Sequence, residues 1–122
     1  MKRLSILVVE DHALSRQLIC DLLSHRGHDV DEASDVAAAR ASLARRQPGL
    51  VLTDLAIPGG GGEAVLAATR QLYPQVAIPV ALVTASAMRG DRERLLRCGF
   101  DAYFDKPIDV RLLAAAVEAL VP

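Results

Sequence analysis

Leu4-Ser5-Ile6-Leu7-Val8-Val9-Glu10-Asp11 is the stretch that decides the fold: a short apolar run broken only by Ser5 and ended by two adjacent acids. A strand exposed on one face alternates apolar and polar residues, whereas a strand covered on both faces reads as continuous apolar sequence. The run therefore predicts a central strand of a sheet with helices on both sides. It is far too short to span a bilayer. Met1, Lys2 and Arg3 precede it in the manner of a secretory signal, but Glu10 and Asp11 end the run early and no small-residue cleavage site follows. A cytoplasmic location is the expectation.

Working outward, His12 to Arg26 carries Leu14, Leu18 and Leu22 at i, i+4 and i+8, with Ile19 and Leu23 beside them. That spacing predicts a helix stripe, and Gly27 supplies a stop. Asp29 to Glu32 is a weak second strand, and Ser34 is placed to cap an Ala-rich helix running to about Arg46 and ended by Pro48-Gly49. Leu50 to Thr53 is a third strand. Gly59 to Gly62 leads into a helix over Glu63 to Leu72, and Ile78 to Val83 is a fourth strand. A polar helix around Met88 to Arg97 ends at Gly99, and Ala102 to Phe104 is a fifth strand. Asp109 caps a last helix with Leu113, Val117 and Leu120 on one face.

Strands alternating with helices five times predict an α/β fold: a (βα)5 doubly wound, five-stranded parallel sheet. Right-handed crossovers leave few topologies, and the flavodoxin-like strand order 2-1-3-4-5 is the common one at this size. With 122 residues, 52% of them hydrophobic and no linker or repeat, residues 1–122 read as one domain. The net charge of −1 gives no field that would draw nucleic acid or an anionic membrane. Cys20 and Cys98 lack metal-ligand spacing and read as reduced, mostly buried thiols.

In open parallel sheets, ligands bind beyond the carboxyl ends of the strands, where the strand order reverses. Strand 1 ends in Glu10-Asp11, strand 3 in Asp54, strand 4 in Thr84 and strand 5 in Lys106. The order 2-1-3-4-5 brings the three carboxylates together, with Thr84 and Lys106 approaching from the other side. Close carboxylates repel by several kcal/mol per pair. Lys106 offsets one charge, and a divalent cation would offset the remainder. Hard oxygen ligands suit Mg²⁺, which commonly shares a phosphate oxygen.

These residues carry a resemblance to response-regulator receiver domains over essentially the whole chain. The matching positions are Glu10-Asp11, Asp54 within Asp54-Leu55-Ala56-Ile57-Pro58 together with Gly62, Thr84-Ala85, and Tyr103 with Lys106-Pro107. The resemblance implies a two-component signalling domain whose Asp54 takes a phosphoryl group from a histidine kinase or a histidine phosphotransfer protein. It implies Mg²⁺ on Asp11, Asp54 and the Ala56 carbonyl, with Glu10 acting through water. Lys106 and Thr84 would hold phosphoryl oxygens. Thr84 moving toward the phosphoryl group would let Tyr103 turn inward, changing the surface of the fourth helix, fifth strand and fifth helix. That surface would serve a downstream protein, a fused output domain or a homodimer, without direct contact to nucleic acid or membrane. Ala56 and Ser86 stand where the family tunes the lifetime of the acyl phosphate, and Lys106-Pro107 resembles a bond often cis. Ile57 stands where Met is frequent, and the added glycines Gly59 to Gly61 predict a more mobile loop.

Two other readings remain open at this stage. An aspartate-nucleophile phosphatase would need a second acid two residues after the nucleophile, where this chain has Ala56. A phosphorylation-independent scaffold would have no use for the full acceptor set. The domain is therefore expected to signal rather than turn over substrate. Gly59 to Gly62 lacks the spacing of nucleotide-binding loops, His12, His25 and His28 match no ligand set, and Arg89, Arg92, Arg94 and Arg97 crowd the fourth helix, either as a solvated face or as a docking surface for an acidic partner.

Overall fold

The computed structural model describes residues 3–85, 91–107 and 109–121. Five strands, β1 (Ser5–Val9), β2 (Asp29–Ala33), β3 (Leu50–Thr53), β4 (Val80–Thr84) and β5 (Ala102–Asp105), alternate with α1 (Ala13–His25), α2 (Val36–Arg45), α3 (Gly61–Leu72), α4 (Asp91–Arg97) and α5 (Val110–Ala119). All strand pairs are parallel, in the order β2-β1-β3-β4-β5. The doubly wound architecture and strand order expected from the sequence are those observed.

The period-2 geometry of strands divides the core in two. Leu7, Val9, Val51, Val80 and Leu82 meet Val36, Ala39, Leu43, Val65, Leu66 and Leu95 on one face. Ile6, Val8, Leu50, Leu52, Ala81 and Val83 meet Ile19, Cys20, Leu23, Leu113, Ala114 and Val117 on the other. Both faces of the central strands are thus covered, which is why β1, β3 and β4 carry almost no polar residues.

Several details differ from the sequence reading. In α1 the buried face is Ile19, Cys20 and Leu23, while Leu14 is 72% and Leu18 57% exposed. At about 100° per residue, Leu14 and Leu23 are nine positions apart and lie on opposite sides of the helix. The i, i+4, i+8 series drifts around the cylinder, and only Leu22 at its end is half-buried. The cap of α2 is Asp35 rather than Ser34: its Oδ1 accepts the Ala38 N–H at 2.7 Å, because β2 runs one residue further than expected, to Ala33. The fourth strand starts at Val80, not Ile78, and α3 at Gly61, not Glu63. Cys98 is exposed near the end of α4, so only Cys20 is the buried thiol expected; burial pushes Cys20 up to about 12. The expected start of the fourth helix at Met88, together with Ser86 and Arg89, lies outside the described residues.

Asp109 does cap α5, accepting from the Arg111 and Leu112 N–H groups. At the far end of α5, Glu118 accepts from Arg26 at 2.5 and 3.0 Å and pairs with the buried His28 at 2.6 Å. His28 Nδ1 accepts the Leu4 N–H at 3.0 Å, which fixes its Nε2 as the donor to Glu118. Hydrogen bonding from Arg26, ahead of that from His28, lowers the Glu118 carboxyl to about 2. This network ties α5 to the turn before β2.

The two faces of α1 separate in a stability measurement. Leu23→Ala should lower the unfolding free energy by about 2–5 kcal/mol in urea titration, and Leu14→Ala should stay within about 0.5 kcal/mol of the parent.

Candidate functional site

The register of the central strands builds the site. Val9 pairs with Thr53, and the Asp54 N–H donates to the Val9 carbonyl at 3.0 Å, so the residues after β1 and β3 emerge side by side. One carboxylate oxygen each from Glu10, Asp11 and Asp54 lies within 4.8 Å of the others. Lys106, one residue past β5, reaches across with its Nζ 2.8 Å from Asp54 Oδ2 and hydrogen-bonded to Glu10 Oε1. Glu10 is only 2% exposed, and its second oxygen accepts the His12 N–H at 3.2 Å. Asp54 is nearly buried and accepts the Ala56 N–H at 3.3 Å. Asp11 is exposed.

Burial works against the Lys106 ammonium, yet hydrogen bonds to Asp54 and Glu10 outweigh it and raise its pKa above the ordinary lysine value. The lysine therefore stays charged at neutral pH. Against three carboxylates it leaves two negative charges without compensation. The donor set is all oxygen, and the cluster holds no thiolate or imidazole, so the residues fit a hard divalent cation.

The loop between β3 and α3 supplies the floor. A Cβ at Gly62 would lie 2.5 Å from the Asp54 carbonyl oxygen, and Gly59, Gly60 and Gly61 all have positive φ. Glycine here answers a steric demand. The loop is also tied down: Gly62 N–H donates to Leu55 O, Gly61 N–H to Ile57 O, and Val36 N–H at the start of α2 to Pro58 O. Those contacts speak against the extra mobility that the glycine count alone suggests. Ala56 stands exposed beside Asp54, and the Lys106–Pro107 bond is cis.

Thr84 is fully buried at the end of β4. Tyr103, on β5, is 9% exposed and packs into the core, with the Arg92 guanidinium carbon 5.9 Å from its ring centroid. The apolar ring is taken up by the core, and Arg92 of α4 covers its face.

A scan of protein families matches residues 6–118 to the response regulator receiver domain. The chain belongs to this family. The receiver is 35% identical over 116 residues to the phosphate regulon transcriptional regulatory protein PhoB of Escherichia coli K12, covering 95% of this chain and 51% of PhoB. It is 33% identical over 108 residues to the sensor histidine kinase RcsC of Escherichia coli, covering 88% of this chain and 11% of RcsC. The chain thus spans about half of one relative and about a tenth of the other. Among solved structures, the receiver domain of the sensor histidine kinase PA1611 from Pseudomonas aeruginosa, which holds a coordinated magnesium ion in its active-site cleft, superposes with a TM-score of 0.84 at 27% identity, covering 97% of both chains. Family membership places this receiver among two-component signalling domains rather than among classical enzymes, and neither the phosphatase nor the scaffold reading gains support.

Of the residues named from sequence, Glu10, Asp11 and Asp54 cluster, Lys106 reaches Glu10 and Asp54, Ala56 borders them, and Thr84 and Tyr103 lie on β4 and β5. Sequence reading missed Arg16. Its Nη1 donates to the Glu10 carbonyl oxygen at 2.8 Å and its Nε to Glu32 at 3.2 Å. The available signal was a cation in the first turns of α1, where the helix dipole disfavours positive charge.

Lys106→Met should destabilise the receiver by about 2 kcal/mol at pH 7 in urea titration, since it leaves buried Glu10 without its cationic partner. Because the lysine pKa is raised on folding, this contribution is fully present below the ordinary lysine value near 10.5 and is lost as pH rises past it. The gap between parent and variant should accordingly close in alkaline titration.

Proposed function

We propose that this receiver accepts a phosphoryl group on Asp54 from a phosphohistidine of a histidine kinase or phosphotransfer protein, with Mg²⁺ as cofactor. The observation that carries the reading is the pairing of Lys106 with Asp54 beside two further acids on neighbouring strand ends. Lys106 holds one oxygen of this carboxylate and offsets part of the negative charge around it. The Asp54 oxygen attacks phosphorus, the P–N bond breaks, and its electron pair leaves with the imidazole, which takes up a proton. Bound Mg²⁺ would neutralise charge on the transferring group. Asp11 and Asp54, with the Ala56 carbonyl, are the ligands in this reading. Glu10 contributes through water in this reading, its side chain being buried and bound to Lys106 and the His12 N–H. In this reading Lys106 follows one phosphoryl oxygen and Thr84 donates to another.

The consequence is a population shift. In this reading Thr84 moves toward the phosphoryl group and Tyr103, packed against the core with Arg92 over its ring, turns further inward. The readout surface is α4, β5 and α5, offered to a downstream protein, a fused output segment or a second copy of the domain. The reaction is self-modification followed by loss of the phosphoryl group in a cytoplasmic signalling chain. Ala56 in place of a second acid disfavours phosphatase turnover.

Two measurements test this. With Mg²⁺ and acetyl phosphate, the parent should gain the mass of one phosphoryl group and Asp54→Asn should gain none; equal labelling of both would refute the acceptor assignment. In a Tyr73→Phe background Tyr103 is the sole tyrosine, and beryllofluoride with Mg²⁺ should further reduce acrylamide quenching of its emission. Unchanged quenching would remove Tyr103 from the switch while leaving Asp54 as acceptor.

A further inference from the structure

We infer that Arg16 is a positioning residue for the metal site, aiming the Asp11 carboxylate by fixing the peptide plane between Glu10 and Asp11. The inference deepens the Mg²⁺ reading above and rests on it.

Asp11 is exposed, and among the described residues no hydrogen bond or ion pair reaches its carboxylate. Its direction is therefore set by the backbone that carries it. The Glu10 carbonyl and the Asp11 N–H belong to one rigid peptide plane, so fixing the carbonyl constrains the dihedrals on both sides. Glu10 marks the end of the β ladder: its N–H still donates to Ala33 of β2 at 3.0 Å, whereas its carbonyl accepts a side chain, Arg16 Nη1, at 2.8 Å. Arg16 is held in turn by Glu32 of β2 at 3.2 Å through Nε, and its side chain is 22% exposed. The guanidinium thus spans β2, the β1–α1 turn and α1. Two N–H groups in one planar fork bind two acceptors at once, the Glu10 carbonyl and the Glu32 carboxylate, which an ammonium on a flexible stem does not reproduce.

The charge of Arg16 makes the inference decidable. As a mere point charge beside an acidic cluster, Arg16 opposes a cation, and its removal tightens Mg²⁺ binding. As a support for Asp11 its removal weakens binding, and groups that orient metal ligands typically change affinity by about 10–100-fold. The two roles have opposite signs.

The experiment is calorimetric titration of the whole chain with MgCl2, with thermal melts in EDTA to establish folding. Arg16→Gln should weaken Mg²⁺ binding about tenfold, at the lower end of that range. Arg16→Lys should fall between it and the parent, and Glu32→Gln should weaken binding less than either. In an Asp11→Asn background, Arg16→Gln should change the affinity little, because the ligand it aims is gone. An Arg16→Gln protein that binds Mg²⁺ as tightly as the parent, or more tightly, overturns the inference and leaves the metal reading intact. A parent that binds no Mg²⁺ overturns both. Should Arg16→Gln not fold, the inference stands if Arg16→Lys and Glu32→Gln both weaken binding and fails if neither does.

Discussion

Three carboxylates at the ends of two adjacent strands cannot share a few ångströms without a cation, and the Lys106 ammonium is the cation the chain itself provides. It reaches from the end of β5, across β4, to Asp54 and Glu10. The rest of the structure serves that reach. The parallel order β2-β1-β3-β4-β5 puts β1 and β3 side by side, and the short loop after β5 delivers the lysine to them. Because Lys106 offsets only part of the negative charge, the folded site keeps a charge and an oxygen donor set that fit a divalent cation.

The acids have separate tasks as a result. Glu10 is buried and engaged, serving as much to hold Lys106 and the turn after β1 as to meet a ligand. Asp54 is central and nearly buried, with one oxygen on Lys106 and the other on the Ala56 N–H. Asp11 is exposed and engaged by nothing among the described residues, as suits a group that waits for an ion. The division follows from position: Glu10 still donates its N–H to Ala33 beside β2, whereas Asp11 lies in the turn that leads into α1.

The fold and the convergence of the acids were legible because both depend on patterns confined to short segments. Apolar runs located β1, β3 and β4, the first two ended by acids, and strand-end positions named Glu10, Asp11, Asp54, Thr84 and Lys106. What depended on rotation about an axis was less legible. The leucines of α1 form an obvious spacing, yet the helix buries Ile19, Cys20 and Leu23 instead, because packing against the sheet chooses among faces of similar hydrophobicity. Ser34 and Asp35 are both competent caps, and only the end of β2 decides between them. The core packing of Tyr103 under Arg92 and the Arg16 bridge involve partners distant in sequence, or a backbone carbonyl, which no side-chain pattern announces.

A sign change tests the central claim most directly. Asp11 has carboxylate neighbours but no cationic partner among the described residues, so Asp11→Asn relieves repulsion without breaking an ion pair. In EDTA the variant should melt above the parent, by about 3–5 °C for each kcal/mol relieved. In saturating Mg²⁺ the order should reverse, since the parent alone keeps its full ligand set. A variant that melts below the parent in both conditions, or a parent whose melting temperature ignores Mg²⁺, would contradict the account.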